Sequence, residues 1–575
     1  MSTRISRRAA KPVPEDLAQA LHPVVARVLA ARDVLSVSEL DYRLEKLHPA
    51  TMLAGMDDAV ALLVDALAHD KRILVVADYD ADGATGCAVA VRGLRLLGAA
   101  HVDYLVPNRF EFGYGLTPEI VAVAEQRAPE LLITVDNGIS SVDGVAAAAA
   151  LDVPVIITDH HLPGEHLPRA AAIVNPNQPG DNFPSKCLAG VGVAFYLLIA
   201  LRAALRDRRW FDERGLQQPN LGQLLDLVAL GTVADVVPLD ANNRILVAQG
   251  IARIRRGRLQ PGVAALLEVA GRDSHHLTAS DLAFAVAPRL NAAGRLTDMT
   301  LGIECLLCDD ASLAAEMAAT LDDLNRERRH IEARMRDQAM AQVENLRFES
   351  EETLPFGLCL FDPEWHPGVV GIVASRVKER LHRPVIAFAP DGKDALKGSA
   401  RSVSGVHIRD ALEAIATRHA GLLSKFGGHA MAAGLSLERA RFDEFRAAFD
   451  VEVRRHLSAG DLRGVISSDG PLEPADIGLA LARELRRAGP WGQGFPEPVF
   501  DGAFEVVSSR VVGESHLKLS LRAGDGAGPV DAIAFNALEY WPEGAKVVRL
   551  AYKLDVNRFR GRETAQLVVE YAEPG

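Results

Sequence analysis

The chain has 575 residues, of which 49% are hydrophobic and 24% charged, and its net charge is −13. This balance is typical of a globular protein, and the length predicts three or four domains. The acidic total argues against a protein that coats nucleic acid electrostatically. No apolar run reaches the ~20 residues that span a bilayer, and the five scattered cysteines favour a reducing compartment, so we expect a cytoplasmic protein without membrane contact.

After a helical lead-in, residues 1–54, short apolar runs alternate with alanine-rich helical stretches. These runs are too short for helices and rich in branched side chains, and the alternation predicts a parallel sheet covered on both faces. We assign residues 55–310 to this first α/β domain. Its candidate strands are Arg72–Ala77, Leu131–Val135, Pro154–Thr158 and Ala171–Val174.

Residues 311–350 are nearly free of Gly and Pro and predict a long connecting helix. A second, smaller α/β domain is expected over 351–460, with strands at Gly357–Phe361 and Pro384–Phe388. Residues 461–575 contain five short runs separated by turn residues, which predict a small barrel of the OB type. These runs are Phe504–Val512, His516–Arg522, Val530–Phe535, Val547–Asn557 and Ala565–Tyr571.

Arginines cluster at two places, 253–258 and 326–336. Solvated helix faces are one interpretation of each cluster. Confined basic patches on an acidic chain also suit an enzyme that holds nucleic acid in a groove.

Three aspartates at alternating positions follow the first predicted strand: Asp78, Asp80 and Asp82. The carboxyl ends of parallel strands are where open α/β sheets place their sites. Carboxylates this close repel one another unless a cation neutralises them, and oxygen ligands suit Mg²⁺ or Mn²⁺. A helix N-cap and turn is the alternative. An EF-hand loop begins similarly, but it would need a glutamate where this chain has Val89 and would follow a helix.

Acidic and histidine side chains recur at three further places that we interpret as strand ends. A lone group at such a position is more often structural than a ligand, but several at one sheet edge predict two Mn²⁺ or Mg²⁺ ions about 3.5–4 Å apart. No Walker A loop, nucleophile elbow or Gly-x-Gly-x-x-Gly competes, so hydrolysis by metal-activated water is expected. The residues are Asp136, Asp159, His160, His161 and Asp235.

These motifs, in this order, resemble those of the DHH phosphoesterase superfamily and, over essentially the whole chain, the RecJ family within it. The resemblance implies a single-stranded-DNA-specific 5′→3′ exonuclease that releases 5′ mononucleotides by two-metal hydrolysis in recombination and repair. The signatures that carry it are Ala77–Gly83, Pro107–Leu116, Thr134–Ser140, Gly231–Pro238 and Pro288–Arg295.

The resemblance also implies roles for individual residues. Asp136, Asp159 and His161 form the expected catalytic set, with His161 toward the scissile phosphate. Related inorganic pyrophosphatases carry a histidine where this chain has Val76, so the shell of the first ion is expected to differ, with Asp78 as an added ligand or a neighbouring carboxylate. The other implied metal ligands are Asp80, Asp82, Asp136, His160 and Asp235.

The second α/β domain resembles the DHH-associated substrate domain. Glycine-rich turns let backbone N–H groups approach a phosphate, and arginine binds phosphate in a fork. A tight turn is the alternative for the Gly-Gly-His run. The implied phosphate-binding residues are Ser399, Arg401, Gly427, Gly428 and His429.

A clamp on the DNA backbone and its 5′ phosphate is implied on the first domain, with a passage too narrow for duplex. The clamp residues are Arg109, Arg289, Asn291 and Arg295. In the barrel segment, core or hinge packing is expected for the aromatic residues, with stacking on bases as the alternative, and phosphate contact is expected for the arginines. These are Trp491, Phe495 and Phe500, and Arg558, Arg560 and Arg562, respectively.

A monomer is expected, and the resemblance implies single-stranded DNA, a single-strand-binding protein and a helicase as partners. One alternative is a DHH phosphoesterase acting on short oligonucleotides, cyclic dinucleotides or pyrophosphate. The long helix and the barrel favour a polymeric substrate instead. A second alternative is a non-catalytic replication scaffold, against which the complete set of acids and histidines argues.

Overall fold

The computed structural model describes residues 3–108, 112, 115–349, 354–458, 460–524, 528–542 and 544–575. The chain divides into two compact units. One unit comprises Leu324–Ser467 and the N-terminal residues through Ser6, and the other comprises Arg7–Asp323 together with Ser468–Gly575. The lead-in, the first α/β segment and the C-terminal segment therefore share a unit.

A five-stranded parallel sheet forms the centre of the larger unit. Its three central strands are apolar runs buried on both faces, as expected for a sheet covered by helices. The strand order is β3-β2-β4-β5-β6. The elements in chain order are β1 (Arg4–Arg7), α1 (Glu15–Ala20), α2 (Pro23–Ala30), α3 (Met56–Ala68), β2 (Ile73–Ala77), α4 (Ala81–Leu96), β3 (Val102–Leu105), α5 (Pro118–Glu125), β4 (Leu131–Val135), α6 (Val142–Ala150), β5 (Val155–Thr158), β6 (Ala172–Val174) and α7 (Gly190–Asp207).

A helical layer follows the sheet, and within it α9 packs against α4 and α7. The segment before Asp235 was interpreted as a strand, and that prediction was wrong: it is α9, and Asp235 is its C-cap. Nine of its ten residues are buried, so no one-sided apolar period marks it as a helix. The helices are α8 (Trp210–Glu213), α9 (Leu225–Ala234), α10 (Ala241–Arg255), α11 (Pro261–Val269), α12 (Ala279–Asp281), α13 (Ala287–Leu296) and α14 (Thr300–Leu307).

A single helix, α15 (Ala311–Glu349), covers the stretch expected to connect the two α/β domains, and the boundary between the units falls within it. The smaller unit holds a second sheet in the order β10-β11-β9-β8-β7, antiparallel except for the β7–β8 pair. Its elements are β7 (Leu358–Phe361), α16 (Val370–Leu381), β8 (Val385–Asp391), β9 (Ala395–Arg401), α17 (Ile408–Arg418), β10 (Lys425–Gly428), β11 (Ala432–Glu438), α18 (Phe442–His456) and β12 (Val465–Ser468).

The C-terminal segment is a closed five-stranded barrel in the order β13-β14-β15-β17-β16, which confirms the barrel prediction. Trp491, Phe495 and Phe500 are buried, so the expectation of core packing is confirmed as well. Across the described ranges, no helix combines the length and the apolar character needed to cross a membrane. The elements are α19 (Leu479–Ala488), β13 (Phe500–Val512), β14 (His516–Arg522), β15 (Val530–Ala534), β16 (Val547–Phe559) and β17 (Arg562–Pro574).

Candidate metal centre

The carboxyl ends of β2, β4, β5 and β6 lie side by side, because the last residues of these four strands are partners in register. The residue after each of the first three strands donates its backbone N–H to the last carbonyl of the neighbouring strand, at 3.0–3.2 Å. Register alone therefore places four polar side chains in a row at one sheet edge. These are Asp78, Asp136, Asp159 and Asn175.

The loop after β2 turns two more carboxylates toward the same edge. Asp80 is the N-cap of α4, and its Oδ1 accepts the N–H groups of Asp82 and Gly83 at 2.9 and 3.0 Å. The N-cap alternative is thus correct for Asp80, yet it occupies only one of the two carboxylate oxygens. Both oxygens of Asp82 accept N–H groups from the first turn of α7, those of Gly190 and Val191, at 2.7 and 2.9 Å.

Three overlapping groups of possible metal ligands form at this edge. In each group the ligand atoms lie within 4.8 Å of one another. His160 Nε2 lies 3.1 Å from Asp136 Oδ1 and 3.5 Å from Asp235 Oδ2. Two of the groups share Asp136 and two share His160, an overlap that fits two neighbouring cations. The groups are Asp78, Asp80 and Asp136; Asp82, His160 and Asp235; and Asp136, His160 and His161.

The charge state of this cluster also fits divalent cations. Burial, followed by the neighbouring carboxylates, raises the pKa of Asp78, Asp136 and Asp235 well above the ordinary range. The same two causes raise the pKa of Asp82 to about 7. Crowded buried carboxylates are costly to ionise without a counter-charge, and mixed oxygen and imidazole ligands suit Mn²⁺ or Mg²⁺. The residues present therefore fit the ions that the sequence predicted.

Asp136 occupies a constrained position. Its backbone lies in the left-handed region (φ 63°), which aspartate tolerates better than most residues. Residues held in this conformation are concentrated at functional sites. The start of α7 packs directly on its side chain: a Cβ at Gly190 would lie 2.5 Å from Asp136 Oδ1. The glycine therefore allows the helix and the carboxylate to approach this closely.

Asp159 orients His161. Its Oδ1 accepts hydrogen bonds from His161 Nδ1, at 2.8 Å, and from the backbone N–H groups of His160 and His161. Its Oδ2 accepts a hydrogen bond from the backbone N–H of Ile139 at 2.9 Å. Asp159 is in none of the ligand groups of the described chain. Burial lowers the pKa of His161, but the hydrogen bond to Asp159 and the negative charges of Asp159, Asp235 and Asp78 together outweigh it, and the pKa rises to about 9.

The sequence interpretation missed two asparagines that hold the histidine loop. Asn175 Nδ2 donates to the His161 carbonyl at 2.9 Å, and Asn177 Nδ2 donates to the His160 carbonyl at 2.6 Å. Asn175 follows β6 just as the aspartates follow the other strands, so the strand-end pattern would have identified it.

The four residues predicted to form the DNA clamp lie in different environments. Arg109 lies outside the described residues. Arg289 is buried and pairs with Asp322 at 2.8 Å, so its charge is already compensated. Asn291 Oδ1 accepts the backbone N–H of Ala81 at 2.9 Å and so supports the aspartate loop. Arg295 is partly exposed on α13.

The predicted phosphate site of the second sheet lies across three strands. Gly427 of β10 and Ser399 of β9 both pair with Gly434 of β11. A Cβ at either glycine would meet nothing within 4 Å, so the surface beside Ser399 is open. Arg401 Nη1 donates to Ser399 Oγ at 3.0 Å.

The Gly-Gly-His run turns the chain between β10 and β11. Gly428 has φ +141°, and a Cβ there would lie 2.4 Å from the Ala432 carbonyl, so the turn requires glycine. Gly427, Gly428 and His429 are all exposed. The tight-turn interpretation is therefore correct for Gly428 and leaves the run accessible to a ligand.

The chain matches three family models: the DHH family, N-terminal domain, over residues 72–232; the DHHA1 domain over 355–455; and the RecJ OB domain over 468–571. It is 55% identical to the single-stranded-DNA-specific exonuclease RecJ of Dickeya dadantii, over 100% of this chain and 99% of that protein. The Escherichia coli protein of the same name is 55% identical, with 97% of each chain covered.

Solved structures show the same likeness. The structure of RecJ in complex with Mn²⁺ from Thermus thermophilus has a TM-score of 0.81 at 33% identity, covering 99% of this chain and 79% of that one. The Mg²⁺ complex of RecJ from that organism has a TM-score of 0.74 at 31% identity, covering 99% and 78%. Sequence identity over the full length and the match in fold agree: this chain belongs to the RecJ family of the DHH superfamily.

Proposed function

We propose that the chain is a single-stranded-DNA exonuclease that hydrolyses phosphodiester bonds with two divalent cations, Mn²⁺ or Mg²⁺. The observation that carries this proposal is the set of overlapping ligand groups at the register-matched strand ends. The names of the full-length relatives, single-stranded-DNA-specific exonuclease RecJ, support the substrate. The titles of the related structures, which name Mn²⁺ and Mg²⁺, support the cofactors.

The side chains of the cluster have different proposed roles. When bound, the ions would activate water as Lewis acids and neutralise phosphate charge. The residues that would hold them are Asp78, Asp80, Asp82, Asp136, His160 and Asp235. His161 gives one ring N–H to Asp159 and can give the other to the phosphate oxygen on which charge develops. Asp159 fixes this orientation before substrate arrives, so less reorganisation is needed during the reaction.

Phosphate contacts of the substrate are assigned to the second sheet and to the first domain. Arg401, held by Ser399, offers a fork for phosphate oxygens, and the exposed backbone of Gly427 and Gly428 and the side chain of His429 border the same open surface. Arg295 and Arg109 complete the proposed DNA contacts, with Asn291 and Arg289 supporting the aspartate loop and α13 from within the protein.

Several finer properties, expected by likeness to the RecJ family, are part of the proposal. These are 5′→3′ polarity, release of 5′ mononucleotides, a role in recombination and repair in the cytoplasm, action as a monomer, and delivery of the strand by a single-strand-binding protein and a helicase. The domain boundaries 1–54, 55–310, 311–350, 351–460 and 461–575 belong to the same proposal.

Digestion of single strands labelled at one end or the other, with Mn²⁺ present, tests the activity and its polarity together. We expect mononucleotides to leave from the 5′ end while duplex DNA resists. Intact long strands combined with cleavage of dinucleotides or cyclic dinucleotides would contradict the substrate assignment.

A further inference from the structure

A cavity of about 520 Å³ lies within the larger unit, between the helical layer and the barrel. Its walls come from α10, α12, α19 and β16. It differs from the metal centre in every lining residue. Its volume is in the range of sites that bind small ligands, roughly 300–1,000 Å³.

The cavity wall has more cations than carboxylates. Five basic side chains line it against three acidic ones. Three of the basic side chains are paired: Arg272 with Asp281 at 3.4 Å, Arg486 with Asp555 at 3.0 Å, and Lys553 with Glu497 at 3.1 Å. The other two basic side chains, Arg255 and Arg487, have no carboxylate within 4.0 Å of their guanidinium groups in the part of the chain that the structure describes.

The unpaired guanidinium of Arg255 is held in place. Its Nε and Nη2 donate to the Leu277 carbonyl at 2.9 and 2.5 Å, which fixes the plane of the group. Burial, then the nearby charges of Arg486 and Arg558, lowers the pKa of Arg255. Cations crowded in this way are stabilised by an anion between them.

Arg486 adds a donor that the protein does not satisfy. Its Nη2 donates to Asp555, but its Nη1 is buried and has no hydrogen-bond partner among the described residues. A buried donor without an acceptor is unfavourable, and a bound acceptor would remove that penalty. Next to these cations the wall is apolar, with Ile251, Leu485 and Trp491 among its residues.

We propose that this cavity is a second nucleotide-binding site, in which Arg255, Arg486 and Arg487 bind a phosphate and the apolar wall receives the sugar or base. Guanidinium forks match phosphate oxygens, and a nucleotide combines an anion with an apolar face. The phosphate comes either from the DNA strand or from a free nucleotide. The DNA source rests on the proposed function, whereas the anion site does not.

Binding measurements on the full chain in EDTA test the site without cleavage. The probes are thymidine 5′-monophosphate, by titration calorimetry, and a long fluorescent oligothymidine, by anisotropy. We expect Arg486→Gln to weaken one of the two probes about tenfold, as the loss of a charge-assisted hydrogen bond does. Arg487→Gln should weaken the same probe, and because Arg487 contacts no partner in the described residues this variant keeps the fold.

Arg483→Gln is the matched control, since Arg483 lies on the same helix but pairs with Glu563 and does not line the cavity. A loss confined to the long strand identifies DNA as the source, and a loss of thymidine monophosphate binding identifies a free nucleotide. If both probes bind the cavity variants as tightly as they bind the control, the proposal is overturned. A wild-type chain that fails to degrade DNA with Mn²⁺ would contradict the proposed function and leave the monophosphate measurement valid.

Discussion

Replacing Gly190 with alanine should damage the metal centre through a single methyl group. The new Cβ would lie 2.5 Å from Asp136 Oδ1, whereas ordinary contacts begin near 3.4 Å, so the carboxylate must move by about 0.9 Å. A misplacement of about 1 Å at a reacting centre costs on the order of 100-fold in rate. We therefore expect Gly190→Ala to lower kcat/KM on single-stranded DNA about 100-fold and to weaken Mn²⁺ binding.

Gly192→Ala is the matched control on the same helix. Its Cβ would lie 2.6 Å from Cδ1 and 2.9 Å from Cγ of Leu188, so it crowds a buried core side chain instead of a metal ligand. Both changes remove a glycine from α7, so any gain in helix stability is shared. Cleavage rates, calorimetric Mn²⁺ titrations and Tm should be compared for the two variants. Equal activity and equal Mn²⁺ affinity in Gly190→Ala and wild type would refute the placement of Asp136 in the metal site.

Three further changes probe orientation, charge and stability. Asp159→Asn should lower kcat about 10–100-fold with Mn²⁺ affinity unchanged, because Asp159 orients His161 and is not in a ligand group. Burial raises the pKa of Asp226 to about 6. Ionisation of this carboxyl group therefore destabilises the folded state by about 3 kcal/mol as the pH rises from near 4 to above 6. Asp226→Asn should accordingly raise Tm at pH 8 but not at pH 4. Asp469→Ala should lower the free energy of unfolding by about 3–5 kcal/mol, because it leaves the buried guanidinium of Arg32 without its carboxylate partner.

Each of these expectations has a result that would contradict it. Loss of Mn²⁺ binding in Asp159→Asn would make that residue a ligand. A Tm gain in Asp226→Asn that is the same at both pH values would exclude ionisation as its cause. The control for the buried Arg32–Asp469 pair is Asp207→Ala, which removes the exposed partner of Arg206 and should lower the free energy of unfolding by no more than about 1 kcal/mol. If Asp469→Ala lowers it by the same small amount, burial does not strengthen the effect of losing the partner.

The strands that carry the site could be predicted from the sequence because each is a continuous apolar run. Leu131–Val135 was predicted with the bounds that the structure shows. In the barrel, His516–Arg522 was also predicted with the observed bounds, because its apolar and polar residues alternate. β3 and β10 were missed for physical reasons. β3 is a short edge strand with a charged residue, and β10 has two glycines among its four residues, so neither shows the pattern of a buried strand.

The site was less predictable than the strands. Strand ends identify Asp78, Asp136 and Asp159 as neighbours, because parallel strands in register bring their carboxyl ends together. Asp235 reaches the cluster from a helix, which only the packing of α9 reveals. The compensation of Arg289 by Asp322 is equally invisible in the sequence, since the two residues lie on different helices.

Counting Mn²⁺ ions bound per chain, by calorimetry or by electron paramagnetic resonance, tests the metal centre most directly. Wild type should bind two ions. Asp136→Ala should bind fewer and more weakly, because Asp136 belongs to two of the ligand groups. A wild-type chain that binds no Mn²⁺, or an Asp136→Ala variant that binds it as wild type does, would contradict the assignment of this cluster as the metal centre.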